Sequence, residues 1–207
     1  MNVIAEGPAK PNACYVIAHG AGAGMTHPFM NVVATGLAVR GSATLRYDFP
    51  YMERGSKRVD PPAVAQATVR EAAAEAAKRF PNVPLFAGGK SFGGRMTSQA
   101  QAESPLPGVR GLIFLGFPLH APGKPSVGRA AHLSEVKIPM LFLQGTRDEF
   151  AQLDLLQVTI KKIGSIATLK LFDDADHSFK VPARSGRKPS EVLAELLDAI
   201  ASWIAAH

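Results

Sequence analysis

A short apolar run, Val83-Pro84-Leu85-Phe86, leads directly into Ala87-Gly88-Gly89-Lys90-Ser91-Phe92-Gly93-Gly94-Arg95, which centres Ser91 in a Gly-x-Ser-x-Gly pentapeptide. This pattern describes a strand that turns at once into a helix, with a serine held at the strained turn and its hydroxyl projecting from the sheet. Side chains two positions before and after that serine would collide with the adjoining strand and helix. Glycine has no Cβ and avoids the collision, which assigns Gly89 and Gly93 as elbow glycines. A chain with 19 glycines can produce the pentapeptide by chance, so its context has to carry the argument.

That context holds an acid and a histidine in later segments. Pro139-Met140-Leu141-Phe142-Leu143-Gln144-Gly145 is a near-continuous apolar run, the pattern of a strand buried on both faces, and it ends in Thr146-Arg147-Asp148. Ala167 to Phe172 reads as another strand and runs into Asp173-Asp174-Ala175-Asp176-His177-Ser178-Phe179. A serine hydroxyl needs a base within hydrogen-bond reach, and the base needs an acid to hold its tautomer. The candidates are Ser91 as nucleophile, His177 as base and Asp148 as orienting acid. Asp173, Asp174 and Asp176 are rival acids, but acids clustered on one loop more often bind local backbone N–H groups. Glu149 is expected to point away. A further buried strand, Ala13 to Ala18, is followed by His19-Gly20-Ala21-Gly22-Ala23-Gly24.

The order Ser91, Asp148, His177 resembles that of the α/β-hydrolases, and the resemblance extends over nearly the whole chain. It implies an α/β fold, a mostly parallel twisted sheet with helices on both faces. It also implies an oxyanion hole made by the backbone N–H groups of Ala21 and Phe92, with Gly22 as a substitute for Ala21, and a structural His19. The superfamily normally inserts a cap or lid late in the sheet. Here only Phe117 to His132 follow Gly111–Gly116 before the chain turns to the next strand, so no lid domain is expected. The segments G-K-S-x-G-G-R and D-x-D-H-S-F are similar to those of the dienelactone-hydrolase-like branch. They also resemble a small family that includes a testis-expressed protein and a subunit of the NSL histone-acetyltransferase complex. Dienelactone hydrolases proper use a cysteine nucleophile where this chain has Ser91, which points away from their lactone. The activity implied is hydrolysis of a carboxylic ester or thioester through an acyl-enzyme. The alternative is a non-catalytic interaction module on the same scaffold.

Strand and helix patterns alternate, as a sheet covered on both faces requires, and 207 residues suit one domain spanning 1–207. Helices are expected over His27–Arg40, Pro62–Phe80, Phe92–Glu103, Ala151–Ile163 and Ser190–Ala206, with Ser190 capping the last and a polar loop over Asp48–Pro62. Met1 to Lys10 has neither a basic start nor an apolar stretch, so no signal peptide is read there. No apolar run approaches the roughly 18 residues of a membrane span. Cys14 is the one cysteine; it forms no intrachain disulfide, suits the cytoplasm and reads as a buried small hydrophobe.

Lys and Arg number 23 against 17 Asp and Glu, a net charge of +6. The cations are scattered and no helix-turn-helix or zinc-finger pattern appears, so nucleic acid is not an expected partner. No histidine pair has metal-ligand spacing, and Gly20-x-Gly22-x-Gly24 is not a dinucleotide fingerprint; neither metal nor cofactor is expected. Three cation-bearing loops follow strands: Arg54, Lys57 and Arg58; Lys124 and Arg129; Lys180, Arg184, Arg187 and Lys188. They are either solvated charges or a basic rim that attracts an anionic substrate. Lys90 either holds a substrate carboxylate or pairs with an acid under the elbow. His27, His120, His132 and His207 have no assigned role.

Overall fold

The computed structural model describes residues 1–207. In chain order the elements are β1 (Val3–Glu6), β2 (Ala13–Ala18), α1 (Pro28–Val39), β3 (Ser42–Tyr47), α2 (Pro50–Glu53), α3 (Pro62–Arg79), β4 (Leu85–Lys90), α4 (Phe92–Glu103), β5 (Val109–Leu115), β6 (Met140–Gly145), α5 (Leu153–Ile163), β7 (Ala167–Phe172) and α6 (Pro189–Ala205). They form one seven-stranded sheet in the order β1-β3-β2-β4-β5-β6-β7. Only β1 runs antiparallel to its neighbour; every other pair is parallel.

Strand periodicity of two divides the core between the two faces. Cys14, Val16 and Ala18 of β2 face α3 and α4 and belong to one continuous core with Ala65, Val69, Met96 and Ala100, which extends to Leu156 of α5. Tyr15 and Ile17 face the opposite way, toward Met30, Val33 and Leu37 of α1 and Val192, Leu196 and Ile200 of α6. The central strands therefore read as unbroken apolar runs because both faces are covered. Helix α3 starts with Pro62 in its first turn, is filled with alanine and ends on Lys78 and Arg79, each a favourable choice at its place. At the far side Trp203 packs its ring 5.7 Å from that of Phe86. Truncating such a buried aromatic costs about 3–5 kcal/mol.

Several local expectations change. The N-terminal segment contributes β1, an edge strand that pairs Val3–Glu6 with β3. Glu6 anchors it through an ion pair of 2.9 Å to Arg46, a buried cation on β3. The polar loop after β3 contains α2 and buries Phe49 and Tyr51. Ser190 does not cap the last helix: Lys188 is the N-cap, and its N–H donates to the Glu191 carboxylate at 2.9 Å. His27 acquires a role, its Nδ1 accepting the Phe29 N–H at 3.2 Å to cap α1. Between β5 and β6 the chain forms only a 3-10 segment, Gly128–Glu135. The fold is that of an α/β-hydrolase without a lid.

Candidate active site

Ser91 is the single residue between β4 and α4, with φ 49° and ψ −114°. A non-glycine residue is disfavoured there, so the surrounding structure has to hold it. Its N–H donates to Leu115 O at 3.2 Å, and its carbonyl accepts the Arg95 N–H at 3.1 Å. The elbow is also pressed onto β2 and the turn after it. A Cβ at position 89 would lie 2.1 Å from Ala18 O, and one at position 93 would lie 2.5 Å from His19 O. Both atoms are backbone and cannot swing away, which explains both glycines.

Asp148 lies on the loop after β6 and His177 on the loop after β7. The Nδ1–H of His177 donates to Asp148 Oδ2 at 2.7 Å. Asp148 is buried, and its other oxygen, Oδ1, accepts the Phe150 N–H at 2.8 Å. Gln144 Nε2 also donates to Oδ2, while its Oε1 accepts the Phe117 N–H at 2.9 Å. Gln144 thus ties the acid to the end of β5; it lies within an apolar strand, and its isolated amide there is the signal that could have singled it out. The His177 ring stacks obliquely on Phe150, centroids 4.3 Å apart. On another side it meets Gly116, where a Cβ would come within 3.3 Å of the imidazole; the φ of +71° there also favours glycine.

The rival acids serve their own turn. Asp176 Oδ1 accepts the N–H groups of Ser178 and Lys180 at 2.8 and 2.9 Å, Asp173 is exposed, and Asp174 sits at φ 57° with its N–H bonded to Thr146 Oγ1. Glu149 is exposed.

In the turn after β2, Gly22 N–H donates to the Tyr51 hydroxyl at 3.2 Å, whereas Ala21 N–H has no acceptor in the protein. Phe92 is the first residue of α4, where a backbone N–H has no partner within the helix. His19 fixes the base of this turn. Its Nε2 accepts the Phe49 N–H at 3.1 Å and its Nδ1–H donates to Gly20 O at 2.8 Å. Burial lowers its pKa below the ordinary range, which suits a neutral ring with one donor and one acceptor nitrogen.

Ser91, His177, Gly20 and Ala21 line one cavity of about 580 Å³, together with Phe29, Met30 and Phe150. No carboxylate lines it, and its cations are Lys90 and Lys180, with His27 at its edge. The basic rim is therefore narrower than the sequence allows. Arg54 is paired with Asp60 at 2.6 Å and Arg187 with Glu195, and neither Lys124 nor Arg129 reaches the cavity. Lys90 does not pair with an acid under the elbow: its Nζ forms no ion pair and donates to the His177 backbone carbonyl at 2.6 Å. Burial pushes its pKa down to about 8, opposed by the charges of Asp148 and Asp176.

A second serine–histidine pair lies elsewhere, with Ser98 Oγ 2.7 Å from His132 Nε2. The Ser98 hydroxyl donates to Arg95 O at 2.9 Å, so it accepts from the histidine, the reverse of what nucleophile activation needs. Burial and the Arg95 charge hold His132 down to about 4, no carboxylate bonds it, and neither residue lines the cavity. No three His, Cys, Asp or Glu side chains cluster as metal ligands, and no helix is long and apolar enough to cross a membrane.

Comparison with known proteins agrees with this architecture. A dienelactone hydrolase from Anabaena variabilis superposes with a TM-score of 0.77 at 19% identity, covering 99% of this chain and 91% of that one. An alpha-beta serine hydrolase homologue from Coxiella burnetii gives 0.75 at 18% identity, covering 97% and 89%. A Xanthomonas campestris protein described as a serine hydrolase without a lid gives 0.73 at 20% identity, covering 97% and 88%. At these identities the likeness speaks for the fold. The sequence model of the alpha/beta hydrolase domain matches residues 11–205, and the chain belongs to that family.

Proposed function

We propose that this protein is a serine hydrolase that cleaves a carboxylic ester or thioester through an acyl-enzyme on Ser91. The observation that carries the reading is the 2.7 Å bond between His177 Nδ1–H and Asp148, made at the wall of the cavity that Ser91 also lines. With Nδ1 committed to Asp148, Nε2 is the nitrogen left to accept a proton; Nε2 and Ser91 Oγ face no competing partner in the protein, and they are not hydrogen-bonded to each other in the resting structure.

In the proposed reaction Ser91 Oγ bonds to the carbonyl carbon as its proton passes to His177 Nε2. The charge that develops on the carbonyl oxygen is met by the N–H groups of Ala21 and Phe92, and each such donor is worth about 3–4 kcal/mol in the transition state. Collapse expels the alcohol or thiol, which takes the proton from His177. Water, deprotonated by the same nitrogen, then attacks the acyl-enzyme and restores Ser91. Asp148 stays ionised throughout and stabilises the imidazolium.

The cavity favours an acyl group with an apolar body, which Phe29, Met30 and Phe150 would cover, and disfavours no anion, since it has no carboxylate of its own. Lys180, exposed at its rim and in no ion pair, would attract a negatively charged substrate. The test is labelling with a fluorophosphonate. One adduct on Ser91, abolished in Ser91→Ala, is expected; a folded wild type that stays unlabelled would favour the non-catalytic interaction module instead.

A further inference from the structure

Lys90 is the one charged side chain placed between the nucleophile and the base. It is the last residue of β4, immediately before Ser91, and its stem runs beside the oxyanion turn: a Cβ at Gly20 would meet Lys90 Cγ at 3.4 Å. Its ammonium ends at the loop that carries His177, donating to that residue's own carbonyl oxygen at 2.6 Å. At Gly116 an added Cβ would lie 3.0 Å from Lys90 Nζ and 3.3 Å from the His177 ring, so the ammonium and the imidazole share one glycine-lined wall. The Phe179 ring lies 5.8 Å from Nζ. The charges facing the ammonium are Asp148 on the β6 loop and Asp176 on the β7 loop, and neither is within ion-pair distance. A half-buried cation whose hydrogen bond goes to a carbonyl, with two carboxylates nearby left unpaired to it, is costly to maintain and needs a reason.

We infer that Lys90 is a positioning residue: it clamps the backbone of the histidine loop to the nucleophile strand and so sets the imidazole's place relative to Ser91. The ring is held by its bond to Asp148 and its packing on Phe150, and the turn that carries it is closed by Asp176, which accepts the Ser178 and Lys180 N–H groups. Lys90 acts on the main chain of the same residue. Together they restrain the ring from both ends, and displacements of about 1 Å at such a centre can cost ~100-fold in rate. The inference rests on the hydrolase reading for its kinetic consequences but not for its geometry.

Lys90→Met keeps the stem and removes the donor; Lys90→Arg keeps a cationic donor. The two variants and the wild type are compared in p-nitrophenyl acetate turnover and in the downfield proton NMR resonance of the His177–Asp148 bond, recorded without substrate. Lys90→Met is expected to lower kcat roughly 10- to 100-fold with KM within about twofold, to shift or broaden the resonance, and to be largely rescued by arginine. An unaltered resonance with kcat within about twofold of wild type would overturn the inference, as would a loss carried wholly by KM, the mark of a substrate-binding lysine. If Lys90→Met does not fold, Lys90→Gln is read by the same criteria. A wild type that hydrolyses no ester would count against the hydrolase reading, and the resonance alone would then decide the role of Lys90.

Discussion

Asp148 and His177 meet through Oδ2 and Nδ1–H at 2.7 Å, although one follows β6 and the other follows β7. Adjacent parallel strands bring the two loops together at the C-terminal end of the sheet, where β4 also ends. The acid is not a free carboxylate waiting for a partner. Gln144 and the Phe150 N–H occupy its remaining positions, so the oxygen facing the histidine has a defined direction.

Asp148→Asn should preserve the fold and lower kcat by about four orders of magnitude, because the amide favours the wrong imidazole tautomer. Asp176→Asn, which loosens only its own turn, should cost far less. Steady-state kinetics with a p-nitrophenyl ester and a thermal melt on each variant decide the matter; a larger loss from Asp176→Asn would reassign the acid.

Gly89→Ala should fail to fold or lose several times the ~1 kcal/mol of an ordinary glycine substitution, since its Cβ would sit 2.1 Å from a backbone oxygen. Gly22→Ala is the contrasting variant: its φ is +75° but nothing lies within 4 Å of the added carbon, so only the backbone conformation opposes it. A cost of about 1–2 kcal/mol is expected there. Equal melting temperatures for the two alanine variants would contradict the close approach.

Ser98→Ala and His132→Gln should leave fluorophosphonate labelling intact and act on stability alone. Since the folded protein holds His132 near 4, below its ordinary value of 6.5, its contribution is complete above about pH 6.5 and is lost as the pH falls toward 4. Urea unfolding across that interval should show His132→Gln becoming less harmful, relative to wild type, at the acid end. Loss of labelling in either variant would show that this pair takes part in catalysis.

Lys90 carries a linkage of the same sign at alkaline pH. Burial lowers its pKa to about 8, so the folded protein binds fewer protons than the unfolded chain above that pH. The cost of burying the ammonium is present in full below about 8 and is relieved as the pH rises from there to 10.5, by at most about 3 kcal/mol. Stability of the wild type relative to Lys90→Met should therefore rise through that window. A difference that stays flat would mean the ammonium is better solvated than its position suggests.

What the sequence by itself determined was every feature whose physical cause is local. The elbow is legible because a serine at a strand-to-helix turn demands glycine at fixed spacings, and because the strands around it, covered on both faces, are written as unbroken apolar runs. Asp148 is legible as a residue at the end of such a run, and His177 as one that follows the strand pattern of Ala167–Phe172. Edge strand β1 is not, because Val3–Glu6 is short, half-buried and held by Arg46, a partner whose burial no local pattern announces. The tertiary structure decided what depends on residues far apart in the chain: that Gln144 orients Asp148, that Tyr51 engages Gly22 and leaves the Ala21 N–H free, that Arg54 and Arg187 are paired away from the cavity, and that Lys90 reaches a carbonyl 87 residues later. Hydrogen-bond partners are set by the order of strands in the sheet, and a side chain's own sequence neighbourhood carries no record of that order.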